Sequence, residues 1–129
     1  MPALNFQKQF AYKVESGEKR QTIRKLRKRA IDNPRSGQTL YLYTGMRTKS
    51  CQKLGEVICK SVDQITIEEN GDIVVGIDQL DAWQESKLVE DDGFNTLGDF
   101  LDFFRKTYKS KPFSMENDGL PFYGLLIKW

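Results

Sequence analysis

The sequence predicts an α+β fold, a mixed barrel-like sheet decorated by two or three peripheral helices in a single domain over residues 1–129. Three observations predict it. Short segments alternate apolar and polar residues with period two, as half-buried strands do. Asn70-Gly71 sits between two such segments, where both positions tolerate the positive φ of a tight hairpin. Other stretches repeat their apolar residues at helical spacing next to capping signals.

Taken in order, Phe6, Phe10 and Val14 recur at four-residue spacing and Gly17 follows, which predicts a helix from Gln7 to Ser16 ended by glycine. Gln21–Arg24 reads as a strand with Ile23 inward. Lys25 to Gly37 is a basic loop closed by turn residues. Thr39–Tyr43 is a second strand, with Leu40 and Leu42 alternating against Tyr41 and Tyr43. Glu56–Lys60 and Val62–Glu68 continue the β pattern, and Ile73 and Val75 lie on the far arm of the hairpin. A helix passes through Trp83, Leu88 and Val89, and both Trp83 and Trp129 read as core or rim packing. Thr96-x-x-Asp99 resembles a capping box ahead of a helix whose buried stripe is Leu97, Phe100, Leu101, Phe104 and Tyr108. Lys109–Pro121 reads as a loop. Phe122–Trp129 is a final strand with Tyr123, Leu125, Ile127 and Trp129 on one side.

Composition bounds the chemistry. The 129 residues suffice for a core without disulfide or metal staples. No apolar run approaches the ~20 residues of a membrane span. The N-terminal residues carry neither the basic start nor the apolar stretch of a secretion signal, so the expected location is cytoplasmic. There is no histidine, which removes histidine-dependent triads and histidine zinc sites. Cys51 and Cys59 are the only cysteines and are expected as free thiols, with neither metal nor cofactor implied. The net charge of +2 hides an asymmetry: residues 1–60 carry +10 and residues 61–129 carry −8. Either one face attracts polyanions or the halves pair across the domain.

The sharpest local feature is Gly17-Glu18-Lys19-Arg20-Gln21-Thr22-Ile23-Arg24. Period-two geometry puts Thr22 and Arg24 on one strand face. Lys19 joins them only if it lies in the turn after Gly17. Beside Arg20 and Arg24 its ammonium would be disfavoured, which suits a base or an amine nucleophile, with Thr22 as hydrogen-bond partner. Arg24 offers a planar fork for phosphate or carbonyl. The alternative is a helix cap followed by a solvated basic strand.

Gly17-x-Lys19-x-x-Thr22-x-Arg24 resembles the Gly-x-Lys-x-x-Thr-x-Arg signature of the ASCH family, whose fold is the PUA-like mixed β-barrel. Gly37–Tyr43, Asp92-Gly93-Phe94 with Phe100 beyond it, and the closing strand to Trp129 resemble further family segments in the same order. The resemblance implies binding of RNA or of a modified nucleoside in a cationic cleft around Lys19, Thr22 and Arg24. It also implies a second activity. Small bacterial members are amidohydrolases that deacetylate N4-acetylcytidine through the motif lysine, the motif threonine and a later glutamate, and others are assigned ribonuclease activity. The first two positions fall here on Lys19 and Thr22. The third falls on Asp92, one methylene shorter than glutamate, or on Glu90.

Around that centre the cations Arg20, Lys25, Arg27, Lys28 and Arg29, with Arg35, are candidate phosphate contacts, and Tyr41 and Tyr43 offer stacking surfaces. The alternatives are a solvated loop or one paired with the acidic run Glu90–Asp92. Arg47 and Lys49 extend the cationic surface in a segment that resembles ASCH-like proteins of phages and prophages. Cys51, among those cations, reads as an ordinary thiol rather than a nucleophile. A third function, an accessory interaction protein without a nucleic-acid role, follows if the acidic half neutralises the basic one.

Overall fold

The computed structural model describes residues 2–107 and 120–129. Its strands are β1 (Ala3–Phe6), β2 (Gln21–Lys25), β3 (Thr39–Thr44), β4 (Gln52–Ile58), β5 (Ser61–Ile67), β6 (Ile73–Val75), β7 (Asp78–Gln79) and β8 (Phe122–Lys128). Helix α1 (Lys8–Ser16) lies between β1 and β2, and α2 (Ala82–Asp91) and α3 (Leu97–Thr107) between β7 and β8. The α+β class with three peripheral α-helices therefore holds.

The strands form two sheets, ordered β1-β3-β4 and β2-β8-β5-β6-β7, and neither closes into a barrel. β1 runs parallel to β3, and the other pairs are antiparallel. The sheets meet at a corner where β4 runs into β5. There the Cys59 N–H donates to Gln38 O, just before β3 of the first sheet, and the Lys60 N–H donates to Lys128 O of the second. Successive N–H groups of an extended chain point to opposite sides, so one strand serves a partner sheet on each.

Strand β8 separates two apolar clusters. Phe122 and Leu126 join Ile23, Ile65, Phe100 and Phe104 in one. Leu125, Ile127 and Trp129 join Leu4, Phe10, Leu40 and Leu42 in the other. β8 is thus buried on both faces, not on the one that its alternation predicts. Tyr123, near the start of β8, is exposed.

Helix α1 begins one residue later than predicted. Phe6 belongs to β1, a strand the helical spacing conceals, and meets Phe10 and Val14 from outside the helix. The Asn70-Gly71 hairpin forms as a three-residue loop. The Glu68 N–H donates to Asp72 O, the Gly71 N–H donates to Glu68 O, and Gly71 alone takes positive φ (94°). Helix α2 opens with a reciprocal capping box between Asp81 and Gln84. Helix α3 opens with the Asp99 N–H donating to Thr96 Oγ1 at 3.0 Å. Phe100, Leu101 and Phe104 are buried, whereas Leu97, in the first turn, is exposed. Tyr108 and residues 109–119 lie outside the described residues. Trp129 packs in the core, but Trp83, on the outer side of the first turn of α2, is 74% exposed and packs no core.

Candidate functional site

The site starts where α1 stops. Gly17 ends the helix in the left-handed conformation, and the Lys19 N–H donates back to Lys13 O, which pins the turn. That turn sends the Lys19 side chain inward to 3% exposure. Its Nζ passes 5.1 Å from the Phe10 ring centroid and reaches the C-terminal end of α2. There it donates to Asp92 O at 2.5 Å and to Asp92 Oδ1 at 3.1 Å. A carbonyl at a helix C-terminus carries partial negative charge, so the ammonium meets two acceptors. The close approach depends on Gly93: a Cβ there would stand 3.2 Å from Phe10 and 3.4 Å from Lys19.

Strand β2 supplies the next two groups. Thr22 and Arg24 share a face, and Arg24 Nε donates to Thr22 Oγ1 at 3.0 Å. Arg24 Nη2 donates to Asn5 O at 2.7 Å, with the guanidinium over the Phe6 ring at 4.8 Å. Lys19, Thr22, Arg24 and Asp92 all line one cavity of about 220 Å³. Phe6, Phe10, Phe94, Phe103 and Phe104 wall it, and Asn5, Gln7, Ile23 and Thr107 complete the lining. The four polar groups cited by motif and resemblance thus converge on an aromatic-walled hollow.

Burial sets the electrostatics. Desolvation pulls the Lys19 pKa below its ordinary value, against the pull of Asp92 in the other direction, and Arg24 and Lys13 lower it further. Desolvation pushes the Asp92 carboxyl up, opposed by Lys19, by the Gln21 hydrogen bond and by Arg24. The two shifts run toward each other, so a neutral amine facing a protonated carboxyl is brought within reach of the ion pair. A neutral lysine amine is a base, and a protonated carboxyl is an acid.

Gln21 is the functional neighbour that the motif reading misses. Its side chain is buried and its Nε2 donates to Leu88 O at 3.1 Å and to Asp92 Oδ1 at 3.3 Å. The signal was present in the pattern: period two places Gln21 beside Ile23 on an inward face, where an amide must find partners. Among the described residues no group of three or more Cys, Asp or Glu side chains is placed to hold a metal. Cys51 is an exposed free thiol and Cys59 a buried one.

The remaining candidates fall outside the cavity. Glu90 is exposed, because two residues along a helix is about 200° of rotation and Asp92 takes the inward position. Arg20 turns away, donating from Nε to Gly17 O at 3.0 Å, and lines a separate depression with Lys60 and Lys128. Lys25, at the end of β2, and Arg27, Lys28 and Arg29, on the chain after it, are exposed; Arg27 Nη2 donates to Ala3 O at 2.9 Å and Arg29 pairs with Asp32 at 3.6 Å. Tyr43 is half-buried on the outer face of β3, and Arg47 and Lys49 are exposed beyond its end. The acidic run does not neutralise the loop among the described residues: Asp92 pairs with Lys19, and Asp91 with Lys87.

No helix among the described residues is long and apolar enough to cross a membrane. No family model, curated protein or solved structure matches the chain.

Proposed function

We propose that the protein is an ASCH-type domain of PUA-like character that binds a nucleobase, free or in RNA, in the cavity lined by Lys19, Thr22, Arg24 and Asp92. The carrying observation is that these four groups meet in one hollow walled by five phenylalanines. Aromatic walls accept the faces of a flat ring, and polar groups at the floor and rim read its edge. The exposed cations Lys25, Arg27, Lys28, Arg29 and Arg35 flank the end of β2 and would meet the phosphates of an attached strand. The corner shared by the two sheets is the counterpart of the barrel in this reading. Calorimetric titration with nucleosides and with a short single-stranded RNA tests it; absence of heat with both at low salt rejects it.

A second reading, amide hydrolysis on an acylated cytidine, is favoured by the acid found at Lys19. Neutral Lys19 takes a proton from a water whose oxygen bonds the acyl carbon. Protonated Asp92 gives its proton to the exocyclic N4 nitrogen as the carbon–nitrogen bond breaks, and Lys19 then returns its proton to Asp92. The products are the free acid and the amine. Thr22 holds the reacting groups in register. Incubation with N4-acetylcytidine should release cytidine, and Asp92→Asn should abolish that release. Intact substrate at high protein concentration leaves binding alone.

A further inference from the structure

Gln21 carries a hydrogen-bonding atom that its contact with Asp92 does not use. Its Nε2 donates to Leu88 O and to Asp92 Oδ1, and a backbone carbonyl only accepts, so the amide orientation is fixed and Oε1 is left over. Among the described residues Oε1 accepts no hydrogen bond, although Gln21 is only 3% exposed. No fully buried side-chain nitrogen or oxygen among them lacks a partner, so Oε1 opens to solvent. Gln21 lines no part of the cavity around Lys19 and Thr22. It lines a cleft of about 200 Å³ between α2 and the second sheet, and the depression beside that cleft. Val75, Leu80, Leu88 and Leu126 give the cleft an apolar floor, and the exposed Trp83 stands at its rim. The other end is polar. Lys128 is the direct cross-strand partner of Gln21, so both side chains project to one face, and Lys128 forms no ion pair among the described residues. Asp91 joins them from the end of α2, half-buried, with Lys87 at 3.6 Å.

We infer that this cleft is a second binding site, separate from the cavity, for a free apolar α-amino acid of the size of phenylalanine. Each wall matches one part of that molecule. An apolar cavity of about 150 Å³ is enough for a benzene ring, so the cleft takes an aromatic or branched side chain, with Trp83 across its open side. The α-ammonium has three hydrogens to donate and meets an uncharged acceptor in Gln21 Oε1 and a charged one in Asp91. The α-carboxylate accepts from Lys128, and the adjoining depression adds Arg20 and Lys60 against Glu18. An aromatic acid without the amine leaves Gln21 Oε1 without a donor, and an amine without the carboxylate leaves Lys128 without an anion. Losing a partner at a site shaped for it separates ligands more strongly than a difference in size does.

The test is titration with L-phenylalanine, 3-phenylpropionate, phenethylamine and glycine, followed by tryptophan emission and by the side-chain amide resonances of Gln21. Phenylalanine should move the emission of the exposed Trp83 to shorter wavelength, since Trp129 is already buried, and should shift the Gln21 amide. Each compound that lacks one of its groups should bind roughly tenfold more weakly or worse, the order expected for a hydrogen bond to a charged group. Lys128→Gln alters an exposed side chain outside the cavity and should weaken phenylalanine about threefold, as loss of an exposed ion pair does, with phenethylamine unchanged. Phenylalanine that moves neither signal at its solubility limit overturns the inference. So does 3-phenylpropionate or phenethylamine binding as tightly as phenylalanine, which would mean that the apolar floor alone is used. A folded K128Q that binds phenylalanine unchanged overturns it as well. None of these measurements involves a nucleobase, so the reading of the cavity can fail while this one stands.

Discussion

Lys19 Nζ lies 3.1 Å from Asp92 Oδ1, and the two side chains are only 3% and 6% exposed. The pair joins the turn after α1 to the end of α2, and with them two sides of the cavity. Taking both charges out of water costs about as much as their attraction returns, so such a pair is weak evidence for stability. Its setting in a cavity, beside Thr22 and Arg24, is what a functional pair requires.

Removing one partner strands the other. Asp92→Ala leaves Lys19 with the Asp92 main-chain oxygen as its hydrogen-bond acceptor and should cost roughly 3–5 kcal/mol. Lys19→Met combined with Asp92→Leu should cost clearly less than the two single losses summed, because no charge remains buried. Urea unfolding of the four proteins closes the cycle, and strict additivity would contradict a direct coupling.

The pair also fixes the pH profile of stability. The Asp92 carboxyl is raised above its ordinary 3.8, so its contribution is present below that value and lost as pH climbs through the folded pKa. The Lys19 amine is lowered below 10.5, so its contribution is present above that value and lost as pH falls through the folded pKa. The pair therefore contributes least between the ordinary values of 3.8 and 10.5. Relative to a Lys19→Met, Asp92→Leu variant, the wild type should therefore gain stability toward both acid and alkaline ends, as thermal melts across pH would record. A difference that is flat across pH contradicts the shifts.

Gln21 donates to both Leu88 O and Asp92 Oδ1 from its one amide nitrogen. Gln21→Leu removes one donor from Leu88 O, which keeps the Asp92 N–H, and one from Asp92 Oδ1, and should cost ~0.5–1.5 kcal/mol. It should also raise the Asp92 pKa further, because it removes a hydrogen bond to the charged form. Carboxyl NMR titration of Asp92 reads this directly, and an unmoved Asp92 would refute the positioning role.

Local pattern reached the turn and strand of this site but not what they face. Gly17, Thr22 and Arg24 are legible because a helix stop and a two-residue period are properties of neighbouring residues. The same period misjudged β8, since alternation cannot tell whether a second layer covers the polar-looking face. β1 was hidden because Phe6 sits at helical spacing from Phe10, and a four-residue strand offers too little alternation to outweigh that. Asp92 and Glu90 differ only in the rotation of α2, which its packing decides. Asn5 enters the site through Met46, a hydrogen bond across 41 positions that no window spans.

The basic loop and the cavity should separate by salt. Changing Lys25, Lys28, Arg29 and Arg35 to Gln removes exposed charges and leaves the cavity walls untouched. RNA affinity should fall, and the slope of log K against log salt should flatten by ~0.7 for each phosphate that is no longer neutralised. Nucleoside affinity should stay within twofold. An unchanged slope places the phosphates elsewhere.

Gly124 carries the tightest approach next to the site. A Cβ built there would lie 2.4 Å from Arg24 O and 2.7 Å from the Phe122 ring. Gly124 pairs with Lys25 and with Ile65, in the middle of the second sheet, so neither neighbour can recede without breaking a ladder. Gly124→Ala should therefore cost at least the ~1–3 kcal/mol of an overpacked core. Because the displaced carbonyl is that of Arg24, the guanidinium should shift over Phe6, and ligand affinity should fall with the melting temperature. Gly55→Ala, where a Cβ meets nothing within 4 Å, is the control and should lose far less. Equal melting temperatures for the two variants would mean that β2 and β8 are not held this closely, and the placement of Thr22 and Arg24 on the cavity would go with them.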